Sequence, residues 1–212
     1  MAPSSKGRRQ IALLTLGVML AAPATVVFAE PAPTADDMVK ELSGLEAGAE
    51  IDVPALRQQV VERVKSKANP VALKRPPVAP QLARLPHLSL EITFNPDSPV
   101  IRPESYRTLG RVADALADPR LSSFGFLVVG RTDSSGKRDE NLTLSQRRAD
   151  AFRDVLVTTF KIPSKRIQSI GLGEEQLLDA DHPKAPVNQQ VQVLTLRKLP
   201  QPLIGEKDAK RP

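Results

Sequence analysis

Five prolines between Asn69 and Pro86 constrain this chain more than any other feature, because proline fixes φ, lacks an N–H and interrupts helix and strand alike. No regular element can run through that stretch. It predicts a semi-rigid extended spacer over 69–86, carrying the bases Lys74, Arg75 and Arg84, with separate segments on either side.

Before the spacer, residues 30–68 read as short helices. Thr34 with Asp37 three residues later has the spacing of a capping box for a helix from Asp36 to Leu42, and Gly44 closes it. Asp52 is placed to cap a second helix whose apolar stripe is Leu56, Val60, Val61 and Val64. Such a stripe rests on the chain's own domain or offers a docking face to a partner.

After the spacer, residues 87–198 carry the clearest periodicity. Leu88, Leu90, Ile92 and Phe94 alternate with Ser89, Glu91 and Thr93, the pattern of a strand with one buried face. Pro103 opens a helix with Tyr106, Leu109, Val112 or Ala113, and Leu116 on one side, and Pro119 ends it. Phe124 to Gly130 is apolar on both faces and predicts a central strand. Ser145 is expected to cap a helix through Ala149, Phe152, Val155 or Leu156, and Thr159 or Phe160. Ile167–Leu172 and Val191–Leu196 supply two more strands. The predicted class is α+β, a two-layer β-α-β-α-β-β sandwich with helices on one face of a mixed sheet. Residues 199–212, with Pro200, Pro202 and a charged end, predict a disordered tail.

The first 29 residues have the secretory pattern. Lys6, Arg8 and Arg9 precede an apolar run from Ile11 to Ala22, and Val27-Phe28-Ala29 offers small residues for cleavage after Ala29. Pro23 and Thr25 shorten the run relative to the roughly 20 apolar residues of a membrane-spanning anchor. Setting aside those three bases leaves 27 against 24 acids, so the formal charge falls from +6 to +3, too mild a balance for nucleic acid. Aromatics are 3% of the chain, so its core must be aliphatic, and the absence of cysteine excludes disulfides, a thiol nucleophile and a lipidated anchor.

The loop Gly130-Arg131-Thr132-Asp133-Ser134-Ser135-Gly136 leaves the central strand, and Asn141-Leu142-Thr143-Leu144-Ser145-Gln146-Arg147-Arg148-Ala149 enters the next helix. Strand ends facing helix starts are where small ligands bind in α/β layers. The segment offers a carboxylate at Asp133, a guanidinium at Arg148, and the first-turn amides of the helix Ser145 is expected to cap. A carboxylate and a guanidinium together match a zwitterion: one holds an ammonium, the other a carboxylate in forked geometry. The plainer alternative is that Asp133 and Arg148 pair with each other and staple loop to helix.

These residues resemble the OmpA-like domain family. The chain reads GRTDSSG, then NLTLSQRRA, then GLGEE after the third predicted strand, against the family's G-[HY]-T-D-x-x-G, Asn and L-S-x-R-R-A, over about residues 88–198. The resemblance implies an exported envelope protein of a Gram-negative bacterium, in the periplasm and associated with the outer membrane or cell wall. It also implies non-covalent binding of peptidoglycan through the diaminopimelate of the stem peptide. Asp133 and Arg148 match the family's gripping residues, Thr132 and Asn141 match positions lining its pocket, and Asn95 and Asp97 lie in its ligand-facing loop. Two departures, Arg131 in place of His or Tyr and Gln189-Gln190 in place of two arginines, are expected to alter the pocket rim.

Other classes find less support. His87 and His182 lie near no motif serine, and no nucleophile elbow, phosphate loop or cofactor motif is present, so an enzyme such as a cell-wall hydrolase lacks a visible centre. Asp179, Asp181 and His182 read either as an acidic turn before Pro183 or as metal ligands, and the turn is preferred, so no metal is expected. An adaptor docking to an envelope complex through residues 34–66 is the remaining alternative.

Overall fold

The computed structural model describes residues 33–44, 51–67, 71 and 75–198; the expected signal segment 1–29 and the expected tail 199–212 lie outside them. In chain order the elements are α1 (Ala35–Leu42), α2 (Val53–Lys65), β1 (His87–Leu90), α3 (Tyr106–Ala117), β2 (Phe124–Arg131), α4 (Arg138–Thr158), β3 (Ile167–Gly173) and β4 (Val191–Lys198). The strands form one sheet in the order β1-β4-β2-β3. β2 and β3 run parallel, joined through α4, while β4 lies antiparallel to both β1 and β2. The expected α+β class and mixed sheet are what the chain adopts.

Local chemistry explains the element ends. The Thr34–Asp37 capping box forms in both directions, and the Asp52 side chain accepts the Ala55 N–H at the start of α2. β1 is shorter than the alternation to Phe94 predicted. Its partner β4 begins at Val191, opposite Leu90, so residues beyond have no strand to pair with, and Phe94 bridges Ile101 within its own loop instead.

The alternation along β2 feeds two cores. Phe124, Phe126 and Val128 point to one face, where they meet α1, α3 and α4 through Met38, Leu42, Leu109, Leu116, Phe152 and Leu156. Leu127 and Val129 point to the other, with Ile170, Leu172, Leu194 and Leu196. That second face is not bare. Val53, Leu56 and Val60 of α2 cover it, together with Val78, Ala79, Leu82 and Leu85 from the proline-rich stretch.

The spacer expectation for 69–86 is therefore corrected where the stretch is described. Residues 80–84 form a turn of 3-10 helix, and Leu82 within it, with Val78, Ala79 and Leu85 on either side, is buried in the sheet's second core. Proline excluded a helix or ladder but not packing. A strand apolar on both faces needs cover on both, and this segment supplies half of it. Leu56 and Val60 of the α2 stripe are likewise spent on the chain's own sheet.

α4 is the second correction. It starts at Arg138, seven residues before the serine expected to cap it. Asp139 and Glu140 in its first turn suit the helix dipole, and nothing between them and Ser145 breaks the helix. Ser145 instead binds inward. Its hydroxyl donates to the Leu142 carbonyl at 2.9 Å and accepts the Gly173 N–H at 2.8 Å. The close seat of α4 depends on Gly130 and Gly171: a Cβ on Gly171 would lie 2.2 Å from the Gln146 nitrogen, and one on Gly130 2.3 Å from the Ser145 carbonyl oxygen.

Candidate ligand site

β2 and β3 end, and β4 begins, at the same edge of the sheet, and three loops converge there. The first is residues 132–137 between β2 and α4. Thr132 donates its N–H to the Gly173 carbonyl at 3.0 Å, and Ser134 donates to the Pro183 carbonyl at 2.9 Å, which ties the loop to both neighbours. Asp133 is buried, with 7% of its surface exposed. Its carboxylate accepts the Ser135 N–H at 2.8 Å and the Gln189 side-chain amide at 2.6 Å. Both donors are neutral, so the charge is oriented without being cancelled.

Arg148 projects from the third turn of α4 toward the loop after β1. Its Nε donates to the Ser98 carbonyl at 3.2 Å, and the guanidinium carbon lies 4.9 Å from the centre of the Phe94 ring. Partial burial pushes its pKa down, while the carboxylates of Asp97 and Asp133 act against that shift. No ion pair joins Arg148 to either carboxylate among the described residues, so the staple alternative for Asp133 and Arg148 is not formed.

The loop 94–101 is closed by its own backbone. Asn95 donates to Val100 at 2.9 Å, and Ser98 donates to Asn95 at 3.1 Å. Pro96 and Asp97 occupy the corners, with Asp97 at φ +48°, the left-handed conformation a type II turn requires there. Asn95 and Asp97 are exposed at this tip. A groove of about 410 Å³ opens beside it, lined by Asp97, Ser135, Asn141, Leu144 and Arg147 among others, whereas Asp133 and Arg148 stand outside its lining.

Beneath the loops lies a network of charged side chains. Glu175 accepts Nε and an Nη of Arg138 at 2.6 and 2.7 Å, and an Nη of Arg75 at 3.0 Å. Glu174 accepts the other Nη of Arg75 and, at 2.6 Å, the side-chain amide of Asn141. That amide also donates to the Asp133 carbonyl at 3.2 Å.

The OmpA family model matches residues 93–190. The matched region is a little under half of the chain. Among curated relatives, outer membrane porin F of Pseudomonas aeruginosa is 33% identical over 97 residues, covering 46% of this chain and 27% of that protein. The peptidoglycan-associated lipoprotein of Rhizobium meliloti is 39% identical over 85 residues, covering 40% of this chain and 47% of that one. The chain thus spans about half of such a lipoprotein and about a quarter of such a porin. Among solved structures, the OmpA-like domain of FopA1 from Francisella tularensis aligns with a TM-score of 0.45 at 20% identity, over 53% of this chain and 75% of that one.

Within the matched region, the six residues expected at a site fall into two groups. Asp133, Arg148, Asn95 and Asp97 share the loop edge. Asn141 and Thr132 are buried: Asn141 borders the groove but its amide is occupied by Glu174 and the Asp133 carbonyl, and the Thr132 hydroxyl is buried without a partner. Helix amides do not join Arg148 as expected, because α4 begins ten residues earlier, about 15 Å along its axis.

Arg131 also departs from expectation. It is buried on the far face of the sheet, where it donates to the Gln176 carbonyl at 3.0 Å and to the Gln192 side chain, so it forms no part of the rim. Burial pushes its pKa down to about 10, which leaves it charged at neutral pH. Gln189 does touch Asp133, and the Gln190 carbonyl accepts the Arg131 N–H at 3.1 Å. Sequence reasoning missed Phe94 and Ser98 as partners of Arg148, and it placed Arg75 in a spacer rather than beneath the loops. The paired acids of GLGEE were the available signal that a buried base would be needed. Asp179 and His182 form the turn expected of them, with the His182 N–H on the Asp179 carboxylate at 3.0 Å.

Proposed function

We propose that the OmpA domain binds peptidoglycan non-covalently through the diaminopimelate of the stem peptide, and so holds the protein to the cell wall in the periplasm. The carrying observation is that Asp133 and Arg148 stand at one edge, each oriented by neutral groups, with no ion pair to either among the described residues. Diaminopimelate presents a free ammonium and carboxylate on one carbon. Asp133 takes the ammonium, Arg148 takes the carboxylate, and Asp97 and Asn95 border the ligand from the opposite loop. The peptidoglycan-associated lipoprotein among the relatives supports the ligand class.

No turnover is needed for such a role. The ligand is repeated and immobile, so modest affinity retains the protein by rebinding along the wall. The adaptor alternative through residues 34–66 draws no support from Met38, Val39 and Leu42 of α1 or Val53, Leu56 and Val60 of α2, which are buried in the chain's own cores. Competition tests the ligand assignment: soluble stem peptide ending in diaminopimelate should displace the protein from sacculi, whereas the same peptide with lysine, which lacks the distal carboxylate, should not. Equal displacement by both would refute it.

A further inference from the structure

We propose that Arg75 is a positioning residue for the ligand site, and that residues 75–85 act as a clamp holding the Asp133 loop in its binding geometry; this rests on the peptidoglycan reading above. Arg75 arrives from outside the 93–190 family match, yet its side chain is only 2% exposed, and it joins Glu174 and Glu175, whose side chains are 8% and 1% exposed. The remaining bonds of those two acids hold the two ends of the segment between β2 and α4. Glu175 fixes Arg138, the first residue of α4. Glu174 fixes the Asn141 amide, which in turn holds the Asp133 carbonyl. A chain of direct contacts therefore runs from Arg75 through Glu174 and Asn141 to the backbone of the residue that would grip the ligand.

Charge makes the link obligatory. Two buried carboxylates face two guanidiniums, Arg75 and Arg138. Remove Arg75 and the balance becomes two against one, with Asp133 adding a third carboxylate nearby. Buried like charges repel and draw in water or protons. The cheapest relief is to swing Glu174 outward, which releases Asn141 and the Asp133 backbone with it. The clamp is held on the sheet by Val78, Ala79, Leu82 and Leu85, and the Ala79 N–H is bound by the Gln176 side chain at 2.9 Å. Coupling is reciprocal: ligand at Asp133 tightens the seat of 75–85, and a load that lifts 75–85 lowers ligand affinity.

The test compares the full-length wild type with Arg75→Met and Arg75→Lys. Affinity for sacculi and for soluble diaminopimelate-terminated stem peptide is measured well below the melting temperature, alongside the NMR resonances of the Asn141 side-chain amide and the Asp133 backbone amide. Arg75→Met should weaken binding about tenfold and shift both resonances, and Arg75→Lys, which keeps the charge but reaches one carboxylate, should recover part of each. A folded Arg75→Met protein with wild-type affinity and unmoved resonances overturns the proposal while leaving the ligand assignment intact. Should Arg75→Met fail to fold, Arg75→Lys decides alone: weakened binding with shifted resonances upholds the clamp, and wild-type behaviour overturns it. If the wild type binds neither probe, the peptidoglycan reading falls, and the resonances then judge the clamp, upheld if they move and overturned if they do not.

Discussion

Asp97 sits at φ +48°, a left-handed conformation that costs an L side chain more than it costs glycine. Asp97→Gly should therefore leave stability unchanged or raised by up to about 1 kcal/mol, while weakening stem-peptide binding several-fold. A urea titration and a binding isotherm on the same sample check both halves. Asp118 gives a pH prediction away from the site. Hydrogen bonds from Arg120 hold its pKa down to about 2, so it contributes stability that is present above its unfolded value near 3.8 and lost as pH falls toward 2. Thermal melts from pH 5 to pH 2 should show a smaller decline for Asp118→Asn than for the wild type. At this scale the sequence was legible where a residue type carries its own chemistry, as with the capping box of Thr34 and Asp37. It was not legible for Arg131, because neighbouring strand residues point to opposite faces and the register shift after Gly130 is set by tertiary pairing.

The elements follow from periodicity and caps, and they fail where two signals compete. Ser145 has the chemistry of a cap, yet the apolar and acidic pattern upstream continues the helix, and the serine serves as a bolt to β3. The seat of α4 rests on that bolt and on two glycines. Gly171→Ala would drive a methyl group into the backbone at Gln146 and should cost roughly 3 kcal/mol or more. Chemical denaturation should show the loss, and a neutral result would mean that α4 is not held so closely. β1 was over-read for the complementary reason: alternation shows that one face is buried but not that a partner strand exists.

Across the whole molecule, the proline-rich stretch changes meaning most. Read alone it is a spacer; in the fold it closes the second core over a sheet that is buried on both faces. Composition could not reveal this, since Val78, Leu82 and Leu85 are too sparse among prolines to form a periodic signal. A fragment beginning at residue 87 should therefore expose Leu127, Val129, Ile170 and Leu194, bind a hydrophobic dye and melt lower than one beginning at residue 33. Leu82→Ala in the longer fragment should cost roughly 2–5 kcal/mol. The central claim remains that Asp133 and Arg148 together read one zwitterion in the cell wall. Sedimentation of the full chain with purified sacculi tests it most directly. Wild type should pellet, Asp133→Ala and Arg148→Ala should each stay in solution with unchanged circular dichroism, and retention of both variants on the sacculi would contradict the account.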